Sequence, residues 1–147
     1  IFNDNNSITI TKLNNFKRET INLKLNNSPD IAQTIAVTCF GLGIKCHLTG
    51  LHTLKIKETD RLEALKKELS KLGAKVSITN DSLTLEPSSE IIENCSIKTY
   101  QDHRMAMAFA PLALKTSLII EESEVVSKSY PTFWKDLKSI GFKISEM

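Results

Sequence analysis

The chain has 147 residues, 41% of them hydrophobic and 24% charged, with a formal net charge of +2. That balance fits one domain-sized globular unit and excludes a disordered chain, and the charge is too small to argue for nucleic acid. No apolar run reaches the roughly 18–20 residues of a membrane helix, and no CxxC pair or Gly-rich phosphate loop occurs.

In chain order, SITIT at 7–11 alternates apolar and polar residues as a strand does, and ETINLKL at 19–25 does so again. NNSPD then turns the chain. Residues 30–43 (DIAQTIAVTCFGLG) predict a mostly buried helix, with Ser28 as its cap, Asp30 in its first turn and Gly43 as its stop. IKCHLT at 44–49 predicts a strand. Residues 57–72 predict the clearest helix: Leu62, Leu65, Leu69 and Leu72 form one stripe, Gly73 ends it, and Glu63 and Lys67 pair across its wet side. Two short strands within 74–87 flank Asn80-Asp81, a hairpin signal. CSIKTY at 95–100 predicts a strand, and residues 102–114 a helix capped by Asp102 and interrupted by Pro111. SLIIEE at 117–122 predicts a strand, and residues 130–140 a last helix stopped by Gly141. Met105, Met107, Phe133 and Trp134 are expected in the core, His47 and His52 to be structural or exposed.

The order strand, aspartate, buried helix, strand, lysine, amphipathic helix, glycine, strand occurs twice. Asp30 and Asp102 hold equivalent places, as do Lys57 and Lys128, and LSKLGAKV at 69–76 echoes LKSIGFKI at 137–144. Two copies of a βαβαβ-like unit, at about 19–87 and 95–147, predict an α/β chain whose sheets pack one face on helices.

A helix start carries partial positive charge and unpaired N–H groups, so acidic residues are favoured there. Yet Lys57 and Arg61 fall in the predicted first turn of one helix, four apart and so on one face. Arg104 opens another helix, and Lys128 stands just ahead of a third. Each misplacement costs a few tenths of a kcal/mol. A shared anion removes the conflict, because a phosphate collects helix N–H groups and cationic side chains together. Arg61 and Arg104, with their planar forks, are the candidate clamp on a small dianion, and Lys128 is a mobile third cation. A partly desolvated carboxylate beside such cations suits general acid–base work, which makes Glu58 and Asp30 the candidates. Each of these residues also has a plain structural use. First-turn acids compensate the helix dipole, surface Lys and Arg are commonly solvated, and His103 can serve as a hydrogen-bond partner. No His, Cys, Asp and Glu grouping has metal-site spacing, so no metal is expected.

KETDRL at 57–62 and DHRMAM at 102–107 together closely resemble the 5-enolpyruvylshikimate-3-phosphate synthase family. SPDIAQT at 28–34 and SKSYPTFW at 127–134 resemble further segments of that family, in the same order, and the likeness runs from about Glu19 to the end. The sister family, UDP-N-acetylglucosamine enolpyruvyl transferase, shares the fold but not the paired hexapeptides. The resemblance implies an α/β fold of repeated βαβαββ units arranged pseudo-threefold, helices inside and sheets outside, with this chain a single partial domain. It implies transfer of the enolpyruvyl group of phosphoenolpyruvate to the 5-hydroxyl of shikimate 3-phosphate, with release of phosphate, in the shikimate pathway of aromatic amino acid biosynthesis. Neither a metal nor an organic cofactor is implied.

By the same resemblance, Asp30 would take the proton of the attacking hydroxyl, and Glu58 would handle the proton on the methylene carbon of phosphoenolpyruvate. Lys57 would contact shikimate 3-phosphate and assist the proton chemistry; Arg61, Arg104 and Lys128 would bind phosphoenolpyruvate; His103 would support the site. Thr53 stands where the family often carries a substrate-contacting amide four residues before the motif lysine. The likeness covers only the C-terminal part of the family's length, and the chain opens on Ile1 with no initiator methionine, so a fragment is expected, inactive without the rest of the enzyme. The full enzyme is expected to be a cytoplasmic monomer, with Cys39, Cys46 and Cys95 as reduced thiols and no nucleic acid or membrane partner. Two other readings remain open: an enolpyruvyl transferase acting on a UDP-sugar, and a non-catalytic module that binds phosphorylated metabolites or RNA ends.

Overall fold

The computed structural model describes residues 7–9, 11, 19–57 and 59–145. The expected strand at 7–11 is represented by a lone bridge at Ile8, and Ile10 lies outside the described residues.

Among the described residues the strands form two sheets. The first has the order β1-β2-β4-β3, formed by β1 (Ile21–Lys24), β2 (Cys46–Thr49), β3 (Val76–Ile78) and β4 (Ser82–Leu85). β1 and β2 run parallel with Ile21 opposite Cys46, whereas β4 runs antiparallel to both β2 and β3. Asn80 and Asp81 make the expected hairpin between β3 and β4, closed by Thr79 N–H donating to Ser82 O at 3.0 Å. The second sheet pairs β5 (Cys95–Ile97) with β6 (Leu118–Ile120), also parallel.

Parallel neighbours need a crossover connection, and helices supply both. α1 (Ala32–Leu42) joins β1 to β2, and α3 (His103–Phe109) joins β5 to β6. α1 and α3 pack on each other. Just past α3 the approach is close enough that a Cβ on Gly41 of α1 would come within 2.9 Å of Leu112 Cδ1. α2 (Arg61–Lys71) buries its predicted stripe, Leu62, Leu65 and Leu69, together with Leu72 beyond its end. These residues share one core with Leu48, Leu83 and Leu85 of the first sheet, Phe40 of α1 and Phe109 of α3. α4 (Phe133–Ser139) closes a smaller cluster, in which Phe133 meets Ala106, Ala110 and Val126 while Trp134 packs half-buried at its side. Met105 is fully buried and Met107 half-buried; His47 bonds Thr84 Oγ1 at 2.8 Å, and His52 is exposed. All three cysteines are free. Among the described residues no helix is long and apolar enough to cross a membrane.

Several element ends differ from the sequence expectation, each for a local reason. Ser28 makes no side-chain cap; a 3-10 turn, Pro29–Ile31, carries Asp30 and leads into α1. α2 starts at Arg61, not Lys57, because Asp60 is the cap and accepts the N–H groups of Leu62 and Glu63. Lys57 instead follows a 3-10 turn, His52–Ile56, in extended backbone. Thus Lys57 and Arg61 do not share a helical face. α3 ends at Phe109 and tightens into a 3-10 turn, Ala110–Leu114, where Pro111 has no N–H to continue the ladder. α4 begins two residues after Pro131, shorter than the expected 130–140. At the end of α1, Gly43 takes φ +66 and donates back to Cys39 O and Phe40 O, the helix stop expected of it.

Candidate active site

Four elements meet at Asp30. The turn after β1 brings Asp30 itself, the end of the 52–56 turn brings Lys57, and the first residues of α2 and α3 bring Arg61 and Arg104. Asp30 Oδ1 lies 2.7 Å from Arg61 Nη1 and 3.4 Å from Lys57 Nζ. Asp30 Oδ2 lies 3.6 Å from Arg104 Nη2, and the Asp30 carbonyl accepts from Arg104 Nη1 at 3.4 Å. One carboxylate therefore touches three cations, whereas the sequence reading set Arg61, Arg104 and Lys128 around a free anion with Glu58 and Asp30 as bases.

Arg61 is the anchor of this group. Its side chain is 1% exposed, and its Nε donates to Asp102 Oδ2 at 2.6 Å, with Nη2 3.4 Å from Oδ1. Asp102 is fully buried, caps α3 by accepting the Arg104 N–H at 2.9 Å, and also accepts Gln33 Nε2 at 3.3 Å. A buried guanidinium is tolerable only with its charge and donors matched, and Asp102 and Asp30 match it from two sides. The fork that sequence reasoning offered to a free dianion is thus already engaged. Lys57 and Arg104, at 35% and 39% exposed, present cation to solvent.

The remaining candidates sit further out. His103 Nδ1 is 3.9 Å from Asp102 Oδ1 at the edge of the group. Lys128 ends an exposed 3-10 turn, Ser123–Lys128, that packs on α3; it has no ion-pair partner among the described residues. Glu58 lies outside the described residues. Two buried polar atoms near the group, Gln33 Oε1 and Thr53 Oγ1, have no hydrogen-bond partner among the described residues. Gln33 was missed from sequence. Its signal is a lone amide inside the apolar run of α1, three residues after Asp30. A groove of about 470 Å³ runs beside α2 between Asp60 and Tyr100, but Asp30, Lys57, Arg61 and Arg104 do not line it. Asp30, Lys57 and Arg104 form an open face instead, over the buried Arg61.

Fold and site together describe an α/β protein of strand–helix–strand units that gathers cations around a carboxylate at the helix starts. Comparison with known proteins gives the family. Residues 2–137 match the family model of EPSP synthase (3-phosphoshikimate 1-carboxyvinyltransferase), and the chain belongs to that family. A 3-phosphoshikimate 1-carboxyvinyltransferase of Bacteroides fragilis (strain YCH46) is 54% identical over 120 residues, covering 79% of this chain and 29% of the relative. The one from Sulfurovum sp. (strain NBC37-1) is 42% identical over 122 residues, covering 82% and 28%. A solved structure of EPSP synthase from Acinetobacter baumannii superposes with a TM-score of 0.66 at 28% identity, over 80% of this chain and 27% of that one. The chain therefore spans under a third of the length of these relatives, and its α/β architecture is that of the enolpyruvyl transferase fold.

Proposed function

We propose that this chain supplies the C-terminal part of an enzyme that transfers the enolpyruvyl group of phosphoenolpyruvate to the 5-hydroxyl of shikimate 3-phosphate, releasing phosphate. The observation that carries the reading is the convergence of Lys57, Arg61 and Arg104 on Asp30 in a chain of this family. Such a group suits a reaction in which a hydroxyl loses its proton beside a substrate of high negative charge. Asp30 takes the hydroxyl proton as the oxygen attacks, and Glu58 moves the proton at the methylene carbon. A tetrahedral intermediate then loses phosphate. Lys57 contacts shikimate 3-phosphate and supports the proton transfers. Arg104 and Lys128 bind phosphoenolpyruvate, Arg61 positions Arg104 from beneath through its hold on Asp30 and Asp102, and His103 steadies the group. The cations act as catalysts to the extent that they hold the departing phosphate more tightly in the transition state than in the ground state.

The units β1–α1–β2 and β5–α3–β6 are read as parts of two copies of one repeat, at about 19–87 and 95–147. The rest of the enzyme completes the cleft. The isolated chain is inactive, because half a cleft does not orient two substrates. The full enzyme works as a cytoplasmic monomer, without metal or organic cofactor.

The test is phosphate release by the full protein given phosphoenolpyruvate with either shikimate 3-phosphate or UDP-N-acetylglucosamine. Release with shikimate 3-phosphate alone is expected. Release with only the UDP-sugar, or with neither, overturns the reading.

A further inference from the structure

The turn that delivers Asp102 and Arg104 has an unusual backbone. Tyr100 and Gln101, consecutive and neither a glycine, take φ +54 and +57. Left-handed residues of this kind persist only where surrounding contacts hold them. The contact here is a buried carboxylate that the proposed reaction does not use. Glu68, fully buried on the inner face of α2, accepts the Tyr100 hydroxyl at 2.7 Å through Oε1. Its Oε2 accepts the Lys98 N–H at 3.1 Å and is paired with Lys71 Nζ, which also donates to Ser96 O at 3.1 Å. Lys98 Nζ stands 5.7 Å from the centre of the Tyr100 ring. Two paired side chains of α2, Glu68 and Lys71, thus bind the stretch from β5 to the strained turn at three points, immediately before the residues that form the site.

We propose that Glu68 and Tyr100 are positioning residues: their hydrogen bond holds the left-handed turn that seats Asp102 on Arg61 and aims Arg104 at Asp30. Burial of a carboxylate with three donors is a strong geometric constraint, and the constrained turn sits two residues from the Asp102 carboxylate. The kinetic consequence rests on the proposed enolpyruvyl transfer; the structural consequence does not.

Both are tested in the full protein with Tyr100→Phe and, where that variant folds poorly, Glu68→Gln. The Arg104 amide, which donates to Asp102 Oδ1, is expected to exchange with solvent about tenfold faster, while amides in the middle of α2 keep their protection. The KM for phosphoenolpyruvate is expected to rise about tenfold with the KM for shikimate 3-phosphate little changed. Adding Gln101→Gly, which adopts the left-handed conformation without strain, is expected to restore most of both. An unchanged Arg104 exchange rate overturns the positioning role whatever the enzyme does. Equal rises in both KM values, or no recovery with Gln101→Gly, overturn it as well. Faster exchange in a parent that shows no turnover supports the latch and counts against the reaction.

Discussion

Arg61 and Asp102 form a buried ion pair, with Nε 2.6 Å from Oδ2 and the two side chains 1% and 0% exposed. Asp102 caps α3 with the same carboxylate, so the pair ties the start of α2 to the start of α3. Removing one partner leaves the other buried and unmatched, which costs far more than removing both. Arg61→Met is expected to lose about 3–5 kcal/mol of unfolding free energy. Asp102→Leu is expected to lose a similar amount plus about 1 kcal/mol for the cap. Urea unfolding of the double variant checks the coupling: its loss should fall well short of the sum.

A second prediction concerns the turn into the 52–56 segment. Gly50 has φ +76, and a Cβ there would come within 2.8 Å of the Asn26 backbone N and closer to its side chain. Gly141 has φ +106 but nothing within 4 Å of a Cβ. Gly141→Ala therefore bears only backbone strain, about 1–2 kcal/mol. Gly50→Ala bears strain and a backbone clash, and should cost clearly more. Comparing the two unfolding midpoints checks the ordering.

Alkaline pH gives a third. Burial raises the Tyr100 phenol above its ordinary value of 10.0, and the Glu68 hydrogen bond raises it further. A proton held more tightly in the folded state contributes stability that is complete below the unfolded value and is lost as pH rises toward the folded one. Stability should therefore fall as pH rises above about 10, with a shallower fall in Tyr100→Phe. Tyrosinate absorbance and urea midpoints across that range check it.

The fourth concerns Arg104, whose two terminal nitrogens reach the Asp30 carbonyl and carboxylate. A lysine has the charge without the fork. Arg104→Lys is expected to raise the KM for phosphoenolpyruvate about tenfold, with a smaller effect on shikimate 3-phosphate, as steady-state kinetics of the full protein would show.

Much of this was legible in the sequence because it depends on local periodicity. The α2 stripe, the Gly43 and Gly73 stops, the Asn80-Asp81 hairpin and the Asp102 cap all follow from residues a few places apart. Asp30, Lys57, Arg61 and Arg104 were named together with Glu58, His103 and Lys128 from their places at predicted helix starts; the structure brings the first four together, leaves His103 at the edge and Lys128 further out, and Glu58 lies outside the described residues. How they meet was not legible. Asp60, not Lys57, starts α2: capping preference favours the aspartate, while the leucine stripe by itself does not show where the helix begins. The burial of Arg61 depends on Asp102, far along the chain, and no periodicity reports a partner at that distance. Glu68 carried a readable signal: it shares a face of α2 with Arg61, Leu65 and Leu72, where an acid is out of place unless something binds it. The left-handed pair Tyr100-Gln101 had no such signal, since neither residue type favours that conformation.

The central claim is that Asp30, within its ring of cations, takes the proton of the attacking hydroxyl. The most direct measurement is phosphate release from phosphoenolpyruvate and shikimate 3-phosphate by the full protein and by Asp30→Asn, with folding checked on both. The account predicts that kcat falls on the order of 10²-fold or more, while both KM values move only a few-fold. Turnover by a folded Asp30→Asn protein within about twofold of the parent would contradict it.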